Sequence, residues 1–185
     1  MNGWATPPEY LSILPKMRVL LLGSFHTELG LPKLKALKEY LIQNGVDNCR
    51  ITRDFRSPLR MPNEQEDQYN LRKSEYWMRH ADILVFVFFP GVDNASVGLE
   101  LKEAVDNIPG STWRTILAYY ENPPSLISGL GRRISELSVA NFSNEEELHE
   151  QVYGYIIGLL GRLYNTVSNR PIGEWEYASI PTRSI

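Results

Sequence analysis

The sequence predicts a three-layer α/β/α domain on a five-stranded parallel sheet of flavodoxin-like order. Three observations predict it. Short apolar runs and helical periodicities alternate from residue 17 to residue 165. The runs are apolar on both faces, as strands covered on both sides must be. Turn-forming Gly, Pro, Asn and Ser punctuate the boundaries.

Residues 1–16 contain Pro7, Pro8 and Pro15 with Trp4 and Tyr10, a composition that suits an irregular docked arm better than a helix. Met17–Leu22, bounded by Gly23 and Ser24, is too short for a helix and reads as the first strand. Leu34, Leu37, Leu41 and Ile42 then recur at helical spacing, and Gly45 sits where a helix ends. Asn48–Thr52 is a weak second strand, and Gln65–His80 a polar helix carrying Tyr69, Tyr76 and Trp77. Ile83–Phe89 is the strongest strand signal, stopped by Pro90 and Gly91. Ala95–Asn107 follows as a helix closed by Pro109 and Gly110. Thr115–Tyr120 supplies a fourth strand, a short helix runs to about Glu136, and Leu137–Phe142 is the fifth strand. Ser143 with Glu146 reads as a capping box opening a last helix to about Tyr164. The organisation is an arm (1–16), one domain (17–165) and a tail (166–185) with Pro171, Trp175 and Pro181.

Of 185 residues, 43% are hydrophobic and 22% charged, the balance of one globular domain. Lys plus Arg number 19 against 22 for Asp plus Glu, a net charge of −3, so no basic field exists to hold polymeric nucleic acid. One cysteine, Cys49, and no leader-like pattern predict a cytoplasmic protein. The apolar runs fall short of the roughly 20 residues that cross a bilayer, so no membrane partner is expected. The Asn-x-Ser matches at Asn94 and Asn141 carry no meaning without a secretory route.

In a sheet of this kind ligands gather at the carboxyl ends of the strands, and the chemistry is sought there. There is no Walker loop, no complete G-x-G-x-x-G, no G-x-S-x-G elbow and no Cys/His cluster. His26, His80 and His149 lie in separate segments. Neither a metal nor a cofactor is expected. What remains is Glu100, in the run Asn94-Ala-Ser96-Val-Gly98-Leu-Glu100 after the strongest strand. Val97, Leu101, Ala104, Val105 and Ile108 share one helix face at about 100° per residue, which puts Glu100 on the flank of the apolar stripe. A carboxylate there is either a partly desolvated group aimed into the cleft or an ordinary boundary glutamate. Gly23-Ser24-Phe25-His26 is either a plain tight turn or an anion-receiving one. Arg50, Arg53, Arg56 and Arg60 crowd the second loop, as a phosphate grip or as a solvated face.

Three segments together carry a resemblance: Val19-Leu-Leu-Leu-Gly23-Ser24, Ala81-Asp82-Ile-Leu-Val-Phe-Val87 and Ser96-Val-Gly98-Leu-Glu100-Leu-Lys-Glu-Ala104. The chain resembles the nucleoside 2-deoxyribosyltransferase superfamily, and within it the 2'-deoxynucleoside 5'-phosphate N-hydrolases. The resemblance spans roughly residues 18–165 and extends to Leu126-Ile-Ser128-Gly-Leu130. It implies that Glu100 attacks or stabilises the anomeric carbon of a small-molecule nucleotide or nucleoside as the base leaves. It implies that Gly23, Ser24, Phe25, His26, Asn94, Ser96 and Gly98 contact phosphate or sugar. Ser128 would come from a neighbouring subunit, and a homodimer follows. Two positions depart from the family: Leu20 stands where it has a supporting tyrosine, and Ser74 where it has an aspartate.

Two further readings stand beside this one. TIR domains have a similar sheet and a glutamate after a central strand, and some cleave NAD, although their Trp-Cys pair is missing here. The other is a nucleotide-binding or scaffolding module without catalysis, for which Leu20 and Ser74 speak. Whether the chain is an enzyme at all stays open at the level of sequence.

Overall fold

The run Val19–Gly23, buried at every position, forms strand β1 and fixes the centre of the molecule. The computed structural model describes residues 7–25, 28–55, 60–123, 125–172 and 175, apart from the side chains of Asp67, Leu126 and Ser128. Around β1 stand β2 (Cys49–Ile51), β3 (Ile83–Phe88), β4 (Thr115–Tyr120) and β5 (Ser138–Phe142). All neighbours pair in parallel in the order β2-β1-β3-β4-β5, the flavodoxin-like order.

Alternation along the strands sends successive side chains to opposite layers. Val19, Leu21, Val85 and Ile116 face α2 (Gly30–Gln43) and α5 (Glu145–Val167), whose Leu34, Leu37, Leu41, Val152 and Leu160 complete that core. Leu20, Leu22, Leu84, Phe86 and Leu117 face α3 (Glu66–His80) and α4 (Ala95–Asn107), with Trp77, Met78, Val97 and Leu101. The three-layer α/β/α fold expected from the sequence is therefore present. No helix among the described residues is long and apolar enough to cross a membrane.

Several elements differ in detail. The opening arm is not irregular from residue 8 on: Pro8–Leu11 form the short helix α1, Leu14–Lys16 a 3-10 turn, and Ile13, Leu14 and Met17 enter the core. Pro8 at the first helical position explains this, because a missing N–H is harmless there. Tyr10 packs on Tyr164 of α5 at 5.1 Å, whereas Trp4 lies outside the described residues. The expected helix before Glu136 is a 3-10 stretch, Ser125–Glu136, broken at Gly131 with φ 55°. The cap of α5 is shifted by one residue. Asn144, not Ser143, accepts the Glu147 amide at 2.9 Å, and the Glu147 carboxylate accepts the Ser143 amide at 2.7 Å.

The tail contributes one described anchor. Trp175 is buried against Phe55 and Trp77 and donates its indole N–H to the Asn48 carbonyl at 3.2 Å. On the opposite layer His149 of α5 stacks on Tyr40 of α2 at 4.9 Å, its Nε2 buried without a hydrogen-bond partner among the described residues. Burial lowers its proton affinity, with Glu145 acting weakly the other way. The unfolded chain therefore binds a proton more readily than the fold does, and stability falls as pH drops below about 6.5. His149→Phe, which keeps the stack, should lose stability less than wild type between pH 7 and pH 5 in thermal melts. A parallel loss in both proteins would contradict this.

Candidate functional site

The order in which strands are added across the sheet reverses between β1 and β3, which lie side by side and parallel while β2 and β4 flank them on opposite sides. The crevice beyond the carboxyl ends of these two strands is where such folds hold ligands. Register places Gly23 beside Val87, so the turn Ser24-Phe25 and the turn Phe89–Asn94 form its two walls.

The first wall is set by a close approach. A Cβ on Gly30 would stand 2.3 Å from the Ser24 carbonyl oxygen, so only glycine lets α2 begin this close to the turn. Ser24 is buried. His26, the fourth residue of that predicted turn, lies outside the described residues. The second wall ends in Asn94, which precedes α4. Its amide donates to the Phe89 and Val92 carbonyls at 2.9 and 3.2 Å, while its Oδ1 is buried without a partner among the described residues. With both donors engaged, Asn94 has only an acceptor to offer. It can receive a sugar hydroxyl but cannot hold a phosphate, whose oxygens are acceptors too. Asp93 Oδ1 accepts the Ala95 amide at 2.8 Å, putting a carboxylate at the start of α4. Ser96 is exposed on the first turn, and Gly98 spends its amide on the Asn94 carbonyl at 2.9 Å.

Glu100 sits on the second turn of α4. Part of its chain reaches the surface, but its carboxyl turns inward and accepts a hydrogen bond from Ser74 Oγ of α3 at 2.5 Å. Burial pushes that carboxyl up to about 7, and the Ser74 hydroxyl pulls it back only in part. The boundary reading of Glu100 thus gives way to a desolvated carboxyl with one defined partner. Leu20 is fully buried in the same layer and offers no polar group. Ser74 was legible only as a departure. Its helical spacing to Trp77 and Met78 places it on the buried stripe of α3, a signal that could have named it as the partner.

The arginine-rich loop divides. Arg50 donates to the Asp47 and Cys49 carbonyls at 3.1 and 2.9 Å, and Arg60 pairs with Glu66 at 2.9 Å. Arg56 lies outside the described residues. Arg53 sets its guanidinium 5.0 Å from the centre of the Phe25 ring, on the first wall. The Ser128 side chain is likewise outside what is described. Among the described residues no three of His, Cys, Asp or Glu come together as metal ligands.

A cavity of about 160 Å³ opens at the strand ends, lined by Phe88, Phe89, Pro90, Asn94, Tyr120 and Asn122. It is smaller than the roughly 300 Å³ at which small-molecule pockets begin. A larger one, about 280 Å³, lies at the other end of α4 around Arg133 and Glu136, away from Glu100. Compared with protein-family models, curated proteins and solved structures, the chain finds no match in any of the three.

Proposed function

We propose that the Glu100 edge cleaves the N-glycosidic bond of a nucleotide or nucleoside, as the resemblance to the deoxyribosyltransferase-like N-hydrolases suggests. The observation that carries this reading is the inward-turned Glu100 carboxyl, poised near pH 7 and oriented by Ser74. A general or nucleophilic carboxylate is useful when its titration lies close to the working pH.

In this reading ionised Glu100 attacks the anomeric carbon, forming a C–O ester bond as the C–N bond breaks. The base departs with the bonding electron pair and takes a proton from solvent. Water then attacks the same carbon, the ester opens, and the carboxylate is regenerated as the proton passes to solvent. Splitting one hard displacement into two is the ordinary gain of covalent catalysis, with retention at the sugar. Ser74 holds the carboxylate oxygen and favours its ionised form. Ser24, Phe25 and His26 would contact phosphate, with Ser96 and Gly98 of α4 beside them. Asn94 Oδ1 takes a sugar hydroxyl. A second copy of the chain would bring Ser128, making a cytoplasmic homodimer.

A nucleotide-binding module without turnover is the second reading. It is favoured by the small cavity and by Leu20, which leaves Glu100 with Ser74 as its one described hydrogen-bond partner. The test is chromatographic detection of free base and nicotinamide after incubation with deoxyribonucleotides, ribonucleotides and NAD. Base from a nucleotide supports the glycosidase. Nicotinamide alone transfers the assignment to NAD cleavage, and no release from folded protein transfers it to the binding module.

A further inference from the structure

The sheet ends in two edge strands, β2 and β5. An edge strand offers unpaired N–H and C=O groups to any other strand that can reach them. β2 spans three residues and is closed locally: Arg50 donates to the Cys49 carbonyl at 2.9 Å, and Asp54 accepts the Ile51 amide at 2.8 Å. β5 spans five residues, Ser-Val-Ala-Asn-Phe, with neither the charge nor the proline that commonly blunts an edge.

Phe142 turns its carbonyl to β4, where it accepts the Glu121 amide at 3.0 Å. Successive residues of a paired strand direct N–H and C=O to alternate sides, so Val139 and Asn141 point theirs away from the sheet. Both of these outward carbonyls are taken by α5. The Tyr155 hydroxyl donates to Val139 at 2.6 Å, and the Gln151 side-chain amide to Asn141 at 2.7 Å. Four residues of helix rise about 6 Å and two residues of strand about 6.6 Å, so the two donors match the spacing of the two acceptors. The core does not require this arrangement, since Tyr155 is 36% exposed.

The outward groups are also self-complementary. A twofold axis through Ala140 sets β5 of a second copy antiparallel to the first, with Val139 of each copy opposite Asn141 of the other. Those are the hydrogen-bonded positions of such a pair, each exchanging N–H and C=O with the residue across from it.

We propose that the β5 edge is a strand-pairing surface for a second copy of this chain, held closed by Tyr155 and Gln151. The two side chains occupy the acceptors that the second strand needs, and Tyr155 stands where that strand would run. The dimer proposed above therefore does not use β5, and the closure is independent of the chemistry at Glu100.

Tyr155→Ala combined with Gln151→Ala opens the edge while keeping good helix formers in α5. Sedimentation velocity and amide hydrogen exchange of the intact protein, over a concentration series, read the result. In the double variant the Val139 and Asn141 amides should exchange at least about tenfold more slowly at high than at low concentration, together with a larger species. Wild type should show no such dependence, and Gln151→Ala alone a weaker one. Exchange independent of concentration in both variants overturns the proposal, as does a larger species that leaves those two amides unprotected. Concentration-dependent protection of the same amides in wild type would show that the edge is not closed, and overturns it too.

Discussion

Glu100→Gln should give a protein without base-releasing activity that is more stable than wild type at pH 8. The loss of turnover should be at least about a thousandfold, since an amide can neither attack the anomeric carbon nor carry the negative charge that shields it. The stability gain follows from linkage. Glu100 holds its proton up to about pH 7 in the fold, whereas an unfolded glutamate releases it near 4.5. Between those values the folded state binds the extra proton, so stability falls as pH rises and the full penalty is present above pH 7. At about 1.4 kcal/mol per pKa unit the penalty is on the order of 3 kcal/mol. The glutamine removes it while still accepting from Ser74. Urea unfolding of both proteins at pH 8 and pH 5 measures it: a gap at pH 8 that closes toward pH 5 is expected. A substitution that is neutral at both values would mean that the carboxyl is solvated.

Asp82→Ala should destabilise the fold by about 3–5 kcal/mol, the range for breaking a buried ion pair from one side. Asp82 is buried at the start of β3 and accepts from both ends of the Arg170 guanidinium, at 2.5 and 3.0 Å, and from the Arg18 amide at 2.8 Å. Arg170 also donates to the Lys16 carbonyl, and Lys16 to that of Ser168. The pair thus ties the segment after α5 to the amino edge of the sheet. Removing the carboxylate leaves a partly buried guanidinium with no counter-charge at that position, held by the Lys16 carbonyl, and takes the side-chain acceptor from the Arg18 amide. Arg170→Met should be milder, because the Arg18 amide still satisfies Asp82. A loss below about 1 kcal/mol for Asp82→Ala in urea unfolding would show that the pair is solvated enough to be dispensable.

Asp82 also shows what in this chain was legible and what was not. The Ala81-Asp82 pair helped to suggest a family of enzymes, yet it lies at the edge opposite the candidate site and does structural work there. Strands and helices with unbroken patterns were readable to the residue: Ala95–Asn107 and Thr115–Tyr120 stand where periodicity put them. Alternating strands and crossovers made the parallel sheet legible, and the flavodoxin-like order expected for it is the one observed. Elements whose signals compete were not fixed. Ser143 and Asn144 are both good caps, and only the extended backbone at Asn144 chooses between them. Long-range partners were the least visible. Ser74 and Glu100 are 26 residues apart, and nothing local announces that their helices pack side by side. Arg114 was missed for the same reason. It is a buried cation whose guanidinium donates to the Met78 and Ala81 carbonyls at the end of α3. Charge counts read every arginine as surface until tertiary structure supplies the carbonyls.

The most direct test of Glu100 as nucleophile is the pH profile of free-base release, from pH 5 to pH 9, for wild type, Ser74→Ala and Glu100→Gln. Wild type should rise with pH through about 7 and level off as Glu100 ionises. Without the hydroxyl that favours the carboxylate, Ser74→Ala should have its midpoint at higher pH, and Glu100→Gln should stay at background throughout. Turnover by Glu100→Gln equal to wild type, or a wild-type rate that falls as pH rises through 7, would contradict the account.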